Sequence, residues 1–225
     1  MPVASLRCSH LVARLRSWLK GSRLRITGQD HHCLRHNALL FGTHIEIVGT
    51  GCTVEIGPGA RLWDCSITIA GRGAVLRIGA GCRLRKARLV VEDDGSVLLI
   101  GDSTSMTGPT ILSQEGRRVQ IGRDCMVAQH AEIRNSDSHG IHDATTGDRL
   151  NPAADVLIGD HVWIGLHTFV FKGARIGDGA IVAARSLVTG EIPPACIALG
   201  TPARCVKEGI AWKRARTASA ALPAS

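Results

Sequence analysis

The stretch IGDHVWIGLHTFVFKGARIGDGAIVAARSLVTGEIPP, residues 158–194, repeats every six residues. A branched aliphatic residue opens each of six successive blocks, and these residues are Ile158, Ile164, Val170, Ile176, Val182 and Val188. The apolar stripe of an amphipathic helix would recur at three and four residues, and a two-faced strand would alternate at two. A six-residue period is instead typical of a parallel β-helix, in which short strands and turns wind into a coil.

A second position in each block supports this interpretation. The residue four places after each opening aliphatic should face inward near a corner of the coil, and it should therefore be small. The six residues at this position are Val162, Thr168, Ala174, Ala180, Ser186 and Ile192. Five of the six are small or slender, as a narrow corner requires.

A longer period precedes this stretch. Two series of aliphatic residues recur at about 22 residues, namely Ile45, Ile67, Leu89 and Ile111, and Ile56, Ile78, Ile100 and Ile121. Each repeat predicts one coil of three short strands, and such coils bury their apolar faces only against neighbouring coils. We therefore expect one all-β domain, a parallel β-helix, over residues 31–205.

The composition of the 225-residue chain fits a narrow coil. Aromatic residues make up only 3% of the sequence and tyrosine is absent, while the 26 glycines suit a fold with frequent turns. The formal charge of +8 favours an anionic partner. No aromatic platform interleaved with the basic residues is evident in the sequence, and no known reader motif is present, so nucleic acid is not the expected partner.

The eight cysteines form no C-x-x-C pair. Cys52, Cys82 and Cys125 each fall on the small inward corner position, where a reduced thiol serves as a small apolar filler. The sequence has no apolar run of 18 residues, and its first residues do not resemble a signal peptide. The expected location is the cytoplasm.

The two ends differ from the repeats. Residues 1–30 form a basic N-terminal segment, in which residues 1–25 predict an amphipathic helix that either caps the coil or contacts an anionic membrane surface. Residues 206–225 predict a short C-terminal helix followed by a disordered tail.

One long polar segment, residues 134–155, interrupts the repeats before Ile158 restores them. Loops of this length inside a compact repeat are usually functional or disordered. This one carries several titratable side chains, which are Asp137, His139, His142, Asp143 and Asp148. It is the predicted active-site loop.

These features together resemble the hexapeptide-repeat acyltransferases, and within them the sugar and polysaccharide O-acetyltransferases. The phrases that carry the resemblance are DSHGIHDATTGDRLNPAADVLIGDHVWIG (137–165), VFKGARIGDGAIVAARSLVTGEIPP (170–194) and GTPARCVKEGIAW (200–212). The resemblance implies a left-handed coil, a homotrimer with active sites between subunits, and acetyl-CoA as the acyl donor. The expected activity is transfer of an acetyl group to a hydroxyl of a saccharide or polysaccharide precursor.

The resemblance also assigns catalytic roles. His139, ahead of the VWIG phrase, matches the loop histidine that deprotonates the acceptor, and neutral imidazole suits this role near neutral pH. Asp137 either holds that imidazole in one tautomer or is a turn former of the loop. For His142 and Asp143 the structural role is the favoured interpretation.

The donor side, which is the set of residues expected to bind acetyl-CoA, lies on the later coils. By resemblance, Leu166, Ala184, Thr189 and Gly190 line the edge along which the pantetheine arm lies. Arg204 and Lys207 match basic positions that contact the phosphates of CoA. Trp163 should point outward, to cover the cofactor arm, stack on a sugar or pack on a neighbouring subunit. Where Arg185 stands the family usually has glycine, so the cofactor path differs there.

Other functions stay open at this point. One is N-acetylation of a nucleotide-linked amino sugar. Another is a metalloenzyme resembling the γ-class carbonic anhydrases, for which His130 and His167 would be candidate ligands. Their spacing does not follow the histidine pattern of that family, and no metal is expected. A third is a solenoid without catalytic function, which would leave the polar loop unexplained.

Overall fold

A computed structural model describes residues 21–215, which wind into a three-sided solenoid of about eight turns. Sheet A contains β1 (Arg23–Gln29), β4 (His44–Thr50), β7 (Ser66–Arg72), β10 (Arg88–Val91), β13 (Thr110–Ser113), β16 (Glu132–Arg134), β19 (Phe169–Val170) and β22 (Leu187–Val188). Sheet B contains β2 (His32–Arg35), β5 (Thr53–Ile56), β8 (Val75–Ile78), β11 (Val97–Ile100), β14 (Arg118–Ile121), β17 (Val156–Ile158), β20 (Arg175–Ile176) and β23 (Glu191–Ile192).

Sheet C contains β3 (Leu39–Phe41), β6 (Arg61–Trp63), β9 (Arg83–Arg85), β12 (Ser105–Thr107), β15 (Met126–Val127), β18 (Trp163–Ile164), β21 (Ile181–Val182), β24 (Ile197–Gly200) and β25 (Ala203–Lys207). Each coil gives one strand to each sheet in the order A, B, C. We name the three edges of the prism the AB, BC and CA corners.

The strand pairing confirms both predicted periods. In sheet A, Ile67 pairs with Ile45 on one side and with Leu89 on the other, each 22 residues away. In the later coils Ile158 pairs with Ile176, which is 18 residues or three blocks further. All of these residues are buried in one continuous core. The aliphatic positions chosen from the sequence are therefore the residues that stack between coils.

The six-residue period ends one block earlier than the sequence suggested. Ile192 pairs with Ile176 and therefore takes the position of an aliphatic residue that opens a block, rather than the small corner position. The last coil is thus two residues shorter at its AB corner than the coil before it. The five small residues assigned to corners are all buried, and they are Val162, Thr168, Ala174, Ala180 and Ser186.

The cysteines in the corner positions behave as apolar fillers. Cys52, Cys82 and Cys125 are fully buried, and the seven cysteines in the described part of the chain are all free thiols. Burial raises the pKa of the thiols of Cys82 and Cys125 to about 11. These side chains are therefore uncharged at neutral pH, as packing inside the coil requires.

Close approach of the early coils depends on glycine. Gly49 has φ of +127°, and a Cβ built on it would lie 1.9 Å from the carbonyl oxygen of Gly71 on the next coil. Gly73 also has a positive φ, +64°, but no atom lies within 4 Å of its Cβ position. The first glycine is required by conformation and by space, and the second by conformation alone.

This difference gives a matched pair of substitutions. We expect Gly73→Ala to cost about 1 kcal/mol, the strain of a left-handed residue. Gly49→Ala should cost about 3 kcal/mol or more, because the next coil must also move. Thermal unfolding followed by circular dichroism checks this order. Equal midpoints for the two variants would contradict the account of coil spacing.

The predicted helices are not found in the described residues. Residues 1–20, which hold most of the predicted N-terminal helix, lie outside them, and residues 23–25 belong to β1. The predicted C-terminal helix is wrong over its described part, because β25 turns back and pairs antiparallel with β24. No helix in the described residues is long and apolar enough to cross a membrane.

After β25 the chain packs along sheet C. The ring of Trp212 is buried and stacks on His161 at a centroid distance of 3.8 Å. Arg214 donates to the carboxylate of Asp124 and, at 2.8 Å, to the hydroxyl of Ser105. These contacts tie the C-terminal segment to several coils and bring Trp212 within 5.9 Å of Trp163.

Candidate active site

The insertion at residues 135–155 forms a flap at the AB corner, between β16 and β17. Its outer part is a small hairpin, in which His142 and Arg149 form an antiparallel bridge and the amide of Leu150 donates to the carbonyl of Ile141 at 2.7 Å. The flap coincides with the loop predicted from the sequence, apart from Arg134, which ends β16. It is an ordered hairpin rather than a disordered connection.

The base of the flap is held by a half-buried cluster centred on Lys172. Lys172 Nζ donates to Asp137 Oδ2 at 2.5 Å and to the carbonyl of Asn151 at 3.1 Å. The amide of Asn151 donates to Asp137 Oδ2 at 2.7 Å and to the carbonyl of His139 at 2.9 Å. The hydrogen bonds from Lys172 and Asn151 lower the pKa of Asp137. This cluster fixes the backbone that carries His139.

A second cluster holds the hairpin. The guanidinium of Arg149 binds Glu115 through two hydrogen bonds of 2.5 and 2.9 Å, and the hydroxyl of Ser136 also donates to Glu115. These donors lower the pKa of Glu115 to about 2. Such bidentate arginine–carboxylate pairs fix the relative orientation of the two side chains as well as their distance. The flap is therefore anchored at its base and at its hairpin.

Both carboxylates have a depressed pKa in the folded protein, and this sets the pH at which the anchors fail. Their stabilising effect is complete above the ordinary carboxyl pKa and is lost only as the pH falls through the folded value, about 2 for Glu115. We expect Glu115→Gln to lower kcat about tenfold through misplacement of the flap. The ratio of its kcat to that of the wild type should stay constant between pH 5 and 8.

A pH series of kcat with wild type, Glu115→Gln and Glu46→Gln checks this expectation. Glu46 pairs with Arg25 on an early coil and serves as the control. If the ratio of kcat to the wild-type value changed with pH in Glu115→Gln alone, the anchor would titrate in this range and the account would be wrong.

His139 itself is exposed, and its imidazole has no hydrogen-bond partner among the described residues. Asp137 does not bond to that imidazole; its carboxylate is engaged by Lys172 and Asn151 instead. In this structure Asp137 positions the flap rather than the ring. His139 remains the exposed base candidate that the sequence predicted.

The two weaker candidates have structural contacts. Asp143 Oδ1 accepts hydrogen bonds from the amides of Thr145 and Thr146 at 2.8 Å, and His142 Nδ1 lies 3.0 Å from the carbonyl of Gly147. Both residues close the turn of the hairpin, which agrees with the role favoured for them.

Beside the flap lies a cleft of about 500 Å³, lined by Asp93, Glu115, Ser138, Gly140, His142 and Arg149.

Most of the predicted donor-side residues gather on the other side of the prism. Trp163 projects from sheet C with 39% of its surface exposed. Leu166 and Ala184 lie in neighbouring coils at the CA corner, where the amide of Arg185 donates to the carbonyl of Leu166 at 2.8 Å. Arg204 and Lys207 belong to β25, at the end of sheet C. These five candidates share one side of the molecule.

Thr189 and Gly190 lie elsewhere. They connect β22 to β23 at the AB corner, where the carbonyl of Gly190 accepts from the amide of Arg175 at 3.1 Å. That corner carries the flap and faces away from sheet C. The sequence-predicted donor set is thus divided between two sides of one chain.

The backbone conformation at the CA corner explains why glycine would be usual at the position of Arg185. Its φ is +61°, a left-handed conformation that glycine adopts most easily. Below it in the same corner, His130 and His167 stack at a centroid distance of 4.7 Å. Within residues 21–215 no three His, Cys, Asp or Glu side chains converge as a metal site. The metalloenzyme hypothesis therefore has a histidine pair but no third ligand from the described residues.

Several known proteins are similar to part of this chain. No family model matches the sequence. The polysialic acid O-acetyltransferase of Escherichia coli O1:K1 is 36% identical over 96 residues, which is 43% of this chain and 31% of that protein. The polysialic acid O-acetyltransferase of Neisseria meningitidis is 34% identical over 112 residues, 49% of this chain and 52% of that protein. The chain thus spans about half, or less, of the length of these relatives.

The structural match is more extensive. The crystal structure of the polysialic acid O-acetyltransferase OatWY superimposes with a TM-score of 0.68 and 26% identity, over 88% of this chain and 95% of that one. In fold, and in these stretches of sequence, the chain is similar to the hexapeptide-repeat acyltransferases. Its solenoid matches the left-handed parallel β-helix that the sequence resemblance implied.

The residues that support the flap, Lys172, Glu115 and Arg149, were not among the candidates chosen from the sequence. The place of Lys172 next to the flap could have been found by aligning the repeats before and after the insertion. Because Ile133 pairs with Val170, Lys172 occupies on the next coil the place of Asn135. Glu115 and Arg149 are 34 residues apart, and no sequence spacing connects them. Their pairing depends on how the hairpin folds back.

Proposed function

We propose that this protein is an acetyl-CoA-dependent O-acetyltransferase that modifies a saccharide hydroxyl, with His139 as general base. The observation that carries the proposal is the exposed imidazole of His139 on a flap anchored by Lys172 and Glu115. The similarity to the two polysialic acid O-acetyltransferases supports the class of reaction and of acceptor.

The proposed chemistry is direct transfer. The imidazole of His139 accepts the proton of the acceptor hydroxyl as its oxygen attacks the thioester carbonyl. The carbon–sulfur bond then breaks, and the imidazolium returns the proton to the departing thiolate. No covalent enzyme intermediate is needed. Arg204 and Lys207 would bind the phosphates of the donor, because both are exposed cations at the end of sheet C.

We propose that the complete site forms between two chains of a homotrimer. Exposed large apolar residues occur at the flap tip, Ile141 at 57% and Leu150 at 61%. A second group occurs on and beside the later strands of sheet C, and it consists of Trp163, Leu166, Leu199 and Val206. The flap and this second group face apart within one chain. A head-to-tail contact, in which the flap of one chain covers the second group of the next, buries both and closes into a ring.

An acceptor screen tests the proposed function. Purified protein is incubated with acetyl-CoA and with acidic polysaccharides, neutral oligosaccharides or amino sugars, and free thiol is measured. We expect thiol release with a hydroxyl-bearing saccharide and a product that carries an ester-linked acetyl group. Thiol release only with amino sugars would favour N-acetylation. No release with any saccharide or amine would refute the proposal.

A further inference from the structure

The early coils of sheet C carry an unusual stack of side chains. Phe41, Trp63 and Arg85 occupy paired positions on β3, β6 and β9. The rings of Phe41 and Trp63 stack at a centroid distance of 5.8 Å, and the guanidinium of Arg85 lies 4.6 Å from the centre of the Trp63 ring. The stack holds the guanidinium of Arg85 in a fixed place on the surface.

A second column runs beside this stack. Arg61 and Arg83 occupy directly paired positions on β6 and β9, and both are exposed. We name Arg61, Arg83 and Arg85 the arginine ladder. None of the three forms an ion pair with a described residue, whereas Arg72 and Arg77 elsewhere on the same coils pair with Asp94 and Glu55. Like charges at paired positions of neighbouring strands destabilise a sheet. An anionic ligand would compensate for this cost.

The column of Arg61 and Arg83 leads to the candidate site. Continuing along sheet C, Arg83 pairs with Ser105, Ser105 with Met126, and Met126 with Trp163. Neighbouring strands are about 4.8 Å apart, so Arg61 and Trp163 are separated by about 19 Å along the solenoid. One line of outward positions therefore joins the arginine ladder to a residue of the donor side, and Arg214 of the C-terminal segment crosses it at Ser105.

We propose that the arginine ladder binds a carboxylate-bearing polysaccharide and guides it along sheet C toward Trp163. This inference deepens the proposed function and rests on it, because it names the acceptor as an acidic chain longer than the catalytic site. Guanidinium groups match carboxylates in shape and charge. Their spacing along the solenoid suits a ligand with negative charges at repeated intervals.

Two other anionic partners fit less well. Nucleic acid binding to single strands uses open ring faces on which bases stack. Here the faces of Trp63 are occupied by Phe41 and Arg85. Binding to an anionic membrane needs apolar side chains that insert beside the basic ones. Among the described residues, the exposed large hydrophobic side chains lie away from the arginine ladder.

An equilibrium binding experiment tests the inference. The full chain is titrated, without acetyl-CoA, with polysialic acid, neutral dextran of similar length, a single-stranded oligonucleotide and anionic lipid vesicles. We expect binding of polysialic acid in preference to the other three probes. Arg61→Gln combined with Arg83→Gln should weaken it about tenfold. The matched double variant, Arg72→Gln with Arg77→Gln, removes equal charge and should change binding less than about twofold.

Three outcomes would overturn the inference. These are equal losses in the two double variants, tighter binding of oligonucleotide or vesicles than of polysialic acid, and absence of polysialic acid binding by the wild type. Circular dichroism of each variant verifies folding. Binding is measured without turnover, so failure of this inference can be distinguished from failure of the proposed function. Binding without any acetyl transfer would contradict the proposed function, and transfer without binding at the ladder would contradict only this inference.

Discussion

Replacing His139 by alanine is expected to lower kcat about 10²- to 10⁴-fold, the usual contribution of a positioned general base. The backbone of residue 139 is held by Asn151, and Asn151 by Lys172, so the flap should keep its conformation without the imidazole. KM for acetyl-CoA should change little, because the candidate phosphate-binding residues Arg204 and Lys207 lie on another face of the chain. The effect would thus fall on the chemical step.

The measurement is steady-state transfer with the acceptor found in the screen, together with the oligomeric state by light scattering. His36→Ala is a suitable control, since His36 pairs with Glu55 on an early coil. Turnover within about threefold of the wild type would exclude His139 as the base.

The second large effect is expected at the flap tip. Ile141→Asp combined with Leu150→Asp places two charges where the proposed trimer buries apolar surface. Full burial of such a side chain contributes about 1.5–3 kcal/mol, and the contact recurs three times around the ring. We expect dissociation to monomers and loss of nearly all transfer. Val48→Asp places one such charge at an exposed apolar residue of an early coil and should leave the trimer intact.

Mixing inactive chains gives a sharper test of a shared site. His139→Ala lacks the base, and Trp163→Ala alters the opposite face. If the site combines the flap of one chain with sheet C of the next, randomly mixed trimers should regain about a quarter of the wild-type sites. No recovery after subunit exchange would show that each chain uses its own His139 and Trp163.

The sequence alone was sufficient for the coil and for the location of the flap. Aliphatic residues at fixed spacing pair from strand to strand, so the pairing of Ile67 with Leu89 could be predicted from the sequence. The C-terminal segment was mispredicted for a physical reason. Its apolar residues suited a helix in isolation, but the unpaired edge of β24 offered hydrogen bonds to β25. Edge pairing is a tertiary effect that local pattern does not encode.

The site was less predictable than the fold. His139 could be chosen by its chemistry and its place in the loop. Its supports could not, because Glu115 and Lys172 approach the flap from the coils before and after it. The separation of Thr189 from Ala184 also depends on which corner each block turns, and a six-residue period alone does not distinguish corners.

The anchoring of the flap also bears on how such a protein can vary in length. Gain or loss of a whole coil is generally tolerated in solenoids, because each coil contacts only its neighbours. Glu115, Asp137 and Lys172, however, come from three consecutive coils and meet around one hairpin. A coil inserted among these three would pull the hairpin from its supports. Duplications and deletions should therefore accumulate before β13, where an added coil lengthens the prism and leaves the histidine where it is.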